Sequence, residues 1–206
     1  MAVTLEQRLR QAWRTLRATW EEAPRGLPTG ECTAIGELRE GDVSTVVGRV
    51  RCFDEPQLLA PLSNVRCAYY RTRLIDKSEG TIIDEAGMQS FELADETGEV
   101  LVRVQNPTVY LAMDAHVAVG VLRPFDDATR AFLTKHARDD QRWWYERDIR
   151  FEEGLIEHGE VVAVAGVVRH ARGRAATMGS YRDRSRRMVI EGTDDFVLQI
   201  SDILGD

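Results

Sequence analysis

The sequence predicts a mainly β (α+β) fold. The expected core is OB-like and barrel-like, built of short antiparallel strands, with an amphipathic helix in front and one short helix near residues 126–140. Three observations carry this. Beyond Gly36 the apolar residues repeat with a period of two. Short apolar runs follow one another with turn-forming clusters between them, the pattern of a β-barrel or sandwich. Two glycine-led, valine-rich segments, GDVSTVVGRVR at 41–51 and GEVVAVAGVVR at 159–169, share Gly, an acid, Val, Val, Gly, Val and Arg at a fixed offset of 118.

Residues 4–22 read as the leading amphipathic helix, because Leu5, Leu9, Ala12, Trp13, Leu16 and Trp20 recur at helical spacing with Arg8, Arg10, Arg14 and Arg17 among them. Thr4 suits the N-cap, and Pro24, Gly26, Pro28 and Gly30 stop the helix. The expected organisation is a helix at 1–23, a linker at 24–35 and a β-rich domain at 36–206. The apolar stripe has three readings: packing on the domain body, homodimerisation with a second copy, or peripheral membrane association, which Trp and Arg together suit.

The pattern places strands at 43–52, 66–76, 90–95, 99–105 and 115–122. Phe91-Glu92-Leu93-Ala94, Asp95-Glu96-Thr97-Gly98 and Glu99-Val100-Leu101-Val102 read as a hairpin around a four-residue turn, opened by Asp and closed by Gly where positive φ is cheap. A helix over 126–140, capped by Asp126 or Asp127, would turn Ala131, Leu133 and Ala137 inward. Extended segments follow at 143–151, 160–168, 187–191 and 196–200. Gly48 and Gly166 fall at inward positions of their strands, where a bulge or sharp bend is expected. The repeated glycine-led segment has two readings, a duplicated barrel element with sub-barrels at 36–122 and 142–206, or two valine-rich strands alike by composition.

Composition bounds the function. The 206 residues carry a net charge of −7 and a pI near 5.2, which argues against nucleic-acid binding over the whole surface. Residues 169–187 hold seven Arg and one Asp, so the remainder is strongly acidic. Three Cys (Cys32, Cys52, Cys67), with no close spacing, suggest buried thiols in a reducing cytoplasm rather than a disulfide framework. The four His (His116, His136, His158, His170) stand apart from them, so no zinc-ligand spacing arises. The absence of an apolar leader and the shortness of the longest apolar run, 161–168, predict a soluble chain with no integral membrane segment.

Landmarks along the chain occur in a recognisable order. They are Ala60-Pro61-Leu62-Ser63, then Cys67-Ala68-Tyr69-Tyr70-Arg71, then Phe91 to Asp95 with Thr97-Gly98, then Tyr145-Glu146, and finally Gly159 through Gly166. This ordered set resembles the GIDE (or BAM) domain of mitochondrial membrane-anchored RING ubiquitin ligases, from about Gly36 to the C-terminus. The resemblance implies a β-rich binding module that recruits partners or substrates, here of soluble prokaryotic type. Family members carry membrane helices on either side of the domain. The leading segment here is charged and amphipathic instead, and the ligases' RING has no counterpart, so ubiquitin-ligase activity does not carry over.

Candidate reactive groups have bland alternatives. Cys67 with His116 or His158 would make a nucleophile and base, but its place in an apolar strand favours an inert thiol. The acidic pairs Asp126-Asp127, Asp139-Asp140, Glu152-Glu153 and Asp194-Asp195 lack calcium-loop or metal-helix spacing and read as solvated turns or caps. Tyr69 and Tyr70 must face opposite sides of their strand; both read as core and cross-strand packing, with the alternative that the outward one joins Arg71 and Arg73 in a recognition surface. Arg169, Arg172, Arg174, Tyr181, Arg182, Arg184, Arg186 and Arg187 read either as a solvated hairpin loop or as a candidate binding loop for an acidic protein or for nucleic acid. The expectation is a non-catalytic protein-binding or scaffold module, without cofactor or metal. OB-type single-stranded nucleic-acid binding and peripheral membrane association are its rivals.

Overall fold

The computed structural model describes residues 32–111, 115–118, 126–137, 149–171 and 188–202. A 3-10 turn at Ile35–Glu37 precedes β1 (Val43–Arg51), β2 (Cys67–Asp76), β3 (Gly80–Met88), β4 (Phe91–Ala94), β5 (Glu99–Arg103), β6 (Thr108–Tyr110) and β7 (Ala115–Ala118). Helix α1 (Asp127–Lys135) follows, then β8 (Ile149–Glu157), β9 (Val161–His170), β10 (Met188–Glu191) and β11 (Gln199–Ser201). The expected helix 4–22, Tyr145, Glu146, Asp139, Asp140 and residues 172–187 lie outside the described residues.

The mainly β expectation holds, and its centre is a closed barrel. β1, β4, β5, β10 and β9 form a ring that closes because β9 pairs with β1 over Val43 to Arg49. Every junction of the ring is antiparallel except β5–β10, which is parallel. This is the strand order of an OB-type barrel. β11 and β6 extend the sheet from β9.

Period-two patterning explains the barrel core. Val46 and Val50 of β1 share a face with Leu93 of β4, Val100 and Val102 of β5, Val162, Val164 and Val168 of β9, and Ile190 of β10. All are fully buried, with Phe91, Leu198 and Ile200 at or below 1% exposure. Each such side chain contributes about 1.5–3 kcal/mol on burial. Of the bulge or sharp bend expected at Gly48 and Gly166, a bulge between β1 and β9 does not occur, since their register runs unbroken through both. These glycines instead mark close approaches. A Cβ at Gly166 would lie 2.6 Å from Ile190 Cγ2, and one at Gly48 2.8 Å from the Ala94 carbonyl oxygen.

The compact units are not the halves 36–122 and 142–206. One unit comprises residues 1–51, 90–110 and 159–206, and the other 52–89 and 111–158. The similar segments at 41–51 and 159–169 are therefore direct strand partners in one barrel rather than the starts of two.

The second unit is inserted into the barrel at two connections, β1 to β4 and β6 to β9. Its sheet has the order β3-β2-β8-β7 and is antiparallel throughout. Leu74, Ile83, Ile149 and Phe151 of one sheet face form a core with Phe132 and Leu133 of α1. The helix thus turns Thr129, Phe132 and Leu133 inward. Ala131 and Ala137, expected inward, are exposed. The phase differs because Phe132 packs edge-on against Phe151, with centroids 6.4 Å apart.

Asp126 caps α1 as expected, accepting from the Thr129 N–H at 2.8 Å. Asp126→Ala is expected to cost about 1 kcal/mol, read as a lower urea midpoint with an unchanged slope. An unchanged midpoint would show that the cap contributes nothing.

Candidate functional site

The residues singled out by sequence fall into three places. The first is the barrel hairpin. Asp95 Oδ1 accepts from the backbone N–H groups of Thr97 (2.6 Å) and Gly98 (2.9 Å), while Oδ2 accepts from the Ile35 N–H (2.8 Å). Thr97 Oγ1 donates to Asp95 and accepts from the Gly36 N–H. The Asp-Glu-Thr-Gly turn is thereby a clamp on the 3-10 turn. Gly98 does not take a positive φ. A Cβ there would instead meet Ile35 Cγ2 at 3.4 Å.

The second place is the helix-covered face of the inserted sheet. Tyr70 lies on it, and its ring occupies the space left by Gly87 opposite; a Cβ at Gly87 would be 2.3 Å from the ring. Tyr70 Oη donates to Glu85 at 2.6 Å. Lys135 Nζ reaches both Glu85 oxygens at 2.8 Å, and His136 Nε2 lies 2.8 Å from one of them. Burial, then the bond to Glu85, raises the Tyr70 phenol. On Glu85, burial pushes the carboxyl upward, but the bonds from Lys135, Tyr70 and His136 outweigh it and hold it below its usual value. Beside this cluster Glu153, 2% exposed, accepts from the backbone N–H groups of Leu62 and Ser63, both at 2.9 Å, and from Thr72 Oγ1 at 3.0 Å. The Ala60-Pro61-Leu62-Ser63 motif is therefore a turn held by a buried carboxylate.

Glu152-Glu153 is thus not the solvated pair its composition suggested. The two residues point to opposite sides of β8, and each finds its own partners. Asp194-Asp195 does lie in a bend between β10 and β11.

The third place is the opposite face of the inserted sheet. Tyr69, Arg71 and Arg73 lie on it, as their alternation with Tyr70 requires. Arg71 forms a two-pronged pair with Asp84, Nε–Oδ1 at 2.8 Å and Nη2–Oδ2 at 2.6 Å. Glu152 sits between Arg73 (2.7 Å) and Arg150 (3.0 Å). Ala86 and Gly154 stand opposite Arg71 on the neighbouring strands. The side chains of Arg71 and Arg150 are 44% and 62% exposed, whereas Tyr69 is 9% exposed. Arginine, rather than tyrosine, is what this face offers.

The candidate nucleophile is unreactive where it lies. Cys67 is fully buried, and burial first, with nearby Cys52, Glu153 and Glu157 adding to it, pushes its thiol to about 12. Its S–H lies 3.8 Å from the Leu58 carbonyl oxygen. His158 is engaged otherwise, its Nδ1 accepting from the Cys52 N–H at 3.1 Å. The side chain of His116 is outside the described residues. Among the described residues no group of three His, Cys, Asp or Glu could hold a metal ion, and no helix is long and apolar enough to cross a membrane.

Of the family-motif residues, Pro61, Leu62, Ser63, Cys67, Tyr69, Tyr70 and Arg71 meet in the inserted unit. Asp95, Thr97, Gly98, Gly159 and Gly166 belong to the barrel unit. Arg169, next to last in β9, stands opposite Val189 and is exposed. The other arginines of the candidate loop, with Tyr181, lie outside the described residues.

Asp84 is also held below its usual value, chiefly by the Arg71 hydrogen bond. Both Asp84 and Glu85 therefore contribute stability that is complete above the ordinary carboxylate range. It is lost as the pH falls through their lowered folded values. Unfolding free energy should be flat above that range and decline below it, with Glu85→Gln shallowing the decline. An identical acid slope in Glu85→Gln would show that Glu85 has no part in it.

Compared with known proteins, the chain matches no family model, no curated protein and no solved structure.

Proposed function

We propose that this chain is a non-catalytic protein-binding module of GIDE-like type, and that the arginine-bearing face of its inserted sheet is the contact surface. One observation carries the reading. Arg71 and Arg150 remain substantially exposed on one sheet face, while the groups that would do chemistry, Cys67 and Glu153 foremost, are buried and committed to internal bonds. Arg71 and Arg150 each hold an acid of their own sheet, Asp84 and Glu152, and the exposed N–H donors that each guanidinium keeps suit a partner that presents carboxylates. The GIDE resemblance supports the same class, because its landmarks 61–71 build the strand that displays Arg71.

The test is a quantitative pull-down with the full chain, its Arg71→Ala/Arg150→Ala variant and Cys67→Ser, with folding checked by circular dichroism. A partner held by the parent chain and by Cys67→Ser, but lost from the double variant, is expected. Retention by the double variant, or a turnover abolished by Cys67→Ser in a folded chain, would sink the proposal.

A second reading has one observation in its favour. Residues 171–187 connect the fourth and fifth strands of the barrel, the position of a loop that carries ligand contacts in OB barrels. The surface that would accompany it is poor for nucleic acid. The outward positions of β4 and β5 carry Glu92, Ala94, Glu99, Leu101 and Arg103. Arg51 is paired with Glu99 and Arg103 with Glu191, and no aromatic stands among them. Bases would find no stacking platform there. A gel shift of single-stranded DNA or RNA at low salt, weakening steeply with added salt, would favour nucleic acid over a protein partner.

A further inference from the structure

β9 is apolar on both sides. Its inward residues fill the barrel, yet its outward residues Ala163, Ala165 and Val167 are only 2%, 1% and 6% exposed. Opposite them on β1, the outward Thr45 and Val47 are equally buried. A barrel strand that faces water alternates polar and apolar side chains; the segment Val161-Val162-Ala163-Val164-Ala165-Gly166-Val167-Val168 does not. The outside of the ring at β1 and β9 is therefore built to carry a second layer.

Described residues supply one corner of that layer. Cys32 and Val161 pack against Val47 and Ala163. The Thr33 N–H donates to the Thr45 carbonyl oxygen at 2.8 Å, along the edge of β1 that β4 leaves free. The chain thus arrives from residues 1–31 at the rim of this surface.

We propose that the outer face of β1 and β9 is the docking site of the chain's own residues 4–22, seated in cis. The seat and the segment fit chemically. Thr45, Ala163 and Ala165 of the seat are small, and the segment supplies large apolar side chains in Leu5, Leu9, Trp13, Leu16 and Trp20. The lengths also fit. A helix over 4–22 is about 28 Å long, and the connecting residues 23–31 reach about 30 Å when extended, enough to fold the helix back over the strands from Cys32. Docked this way the apolar stripe is used up, and neither a membrane surface nor a second copy is needed to bury it.

The test uses the full chain with Trp143→Phe and Trp144→Phe, so that emission reports Trp13 and Trp20 alone. Expected is a blue-shifted emission, protected from iodide quenching, the same at all protein concentrations and unaltered by anionic phosphatidylserine vesicles. Ala165→Asp on the seat, and separately Leu9→Asp/Leu16→Asp on the segment, should each shift the emission red and abolish the protection. The segment variant leaves the barrel sequence untouched, so its effect cannot be a failure of the barrel to fold. Solvent-exposed emission in the parent chain would overturn the proposal. So would protection that appears only on raising the concentration or adding vesicles, or emission that the segment variant leaves unchanged.

Discussion

Replacing Glu153 with alanine is expected to cost roughly 3 kcal/mol, with most of the loss arising in the inserted unit. The carboxylate is buried, and its three acceptor contacts serve groups with no other described partner: the N–H groups of Leu62 and Ser63 and the hydroxyl of Thr72. Removing it strands two backbone donors and leaves a void beside Thr72 in the middle of β2. Glu153→Gln keeps the volume and one acceptor oxygen, but brings an amide NH2 toward a backbone N–H, so about half the loss should remain. Urea unfolding measures both variants. Amide exchange at Leu62 and Ser63 adds a local readout, because those two amides should lose protection well before the barrel amides. A Glu153→Ala variant within about 0.5 kcal/mol of the parent would mean that the 60–63 turn is held by its own backbone bonds, such as that from the Asn64 N–H to the Ala60 carbonyl oxygen.

Glu153 also marks a limit of what local sequence encodes. Consecutive acids look like a solvated turn, and only the strand's alternation separates Glu152, between two arginines, from Glu153, beneath the 60–63 turn. Strands rich in valine were legible because both their residue types and their period point the same way. β3 was not, since Gly80, Gly87 and the acids Asp84 and Glu85 interrupt any apolar alternation. Its reasons for being a strand lie elsewhere: Gly87 makes room for Tyr70, Asp84 binds Arg71, and Glu85 gathers Tyr70, Lys135 and His136. The interleaving of two units was hidden for a related reason. Barrel closure pairs residues 43–49 with residues 161–167, and no local preference encodes so distant a partner. The only trace was the repeated Gly-acid-Val start of β1 and β9, which was visible but open to two meanings.

That repeat supports the second large prediction. The chain segments leading into β1 and β9 bond reciprocally. The Gly41 N–H donates to the Val168 carbonyl oxygen at 2.9 Å and the Gly159 N–H to that of Val50 at 2.8 Å. The Val168 N–H returns to the Asp42 carbonyl oxygen at 2.9 Å and the Val50 N–H to that of Glu160 at 2.7 Å. Gly41 and Gly159 share positive φ values of 95° and 91°, and a Cβ at either would meet nothing within 4 Å, so their requirement is purely conformational. Gly159→Ala should therefore cost about 1 kcal/mol. Gly166 is constrained by space instead. A Cβ there lies 2.6 Å from Ile190 Cγ2 and 3.0 Å from both the Glu191 carbonyl oxygen and Leu198 Cδ1, and two of these neighbours are core side chains at zero exposure. Gly166→Val should cost about 3 kcal/mol or more, because relief requires β10 to move away from β9 and the parallel β5–β10 junction to move with it. The order Gly166→Val well above Gly159→Ala, measured by urea midpoints at constant slope, distinguishes the two causes. If the two variants lost equal stability, steric closure of the ring at Gly166 would not be what makes glycine necessary there, and the backbone turn into β9 would be the dominant constraint on both.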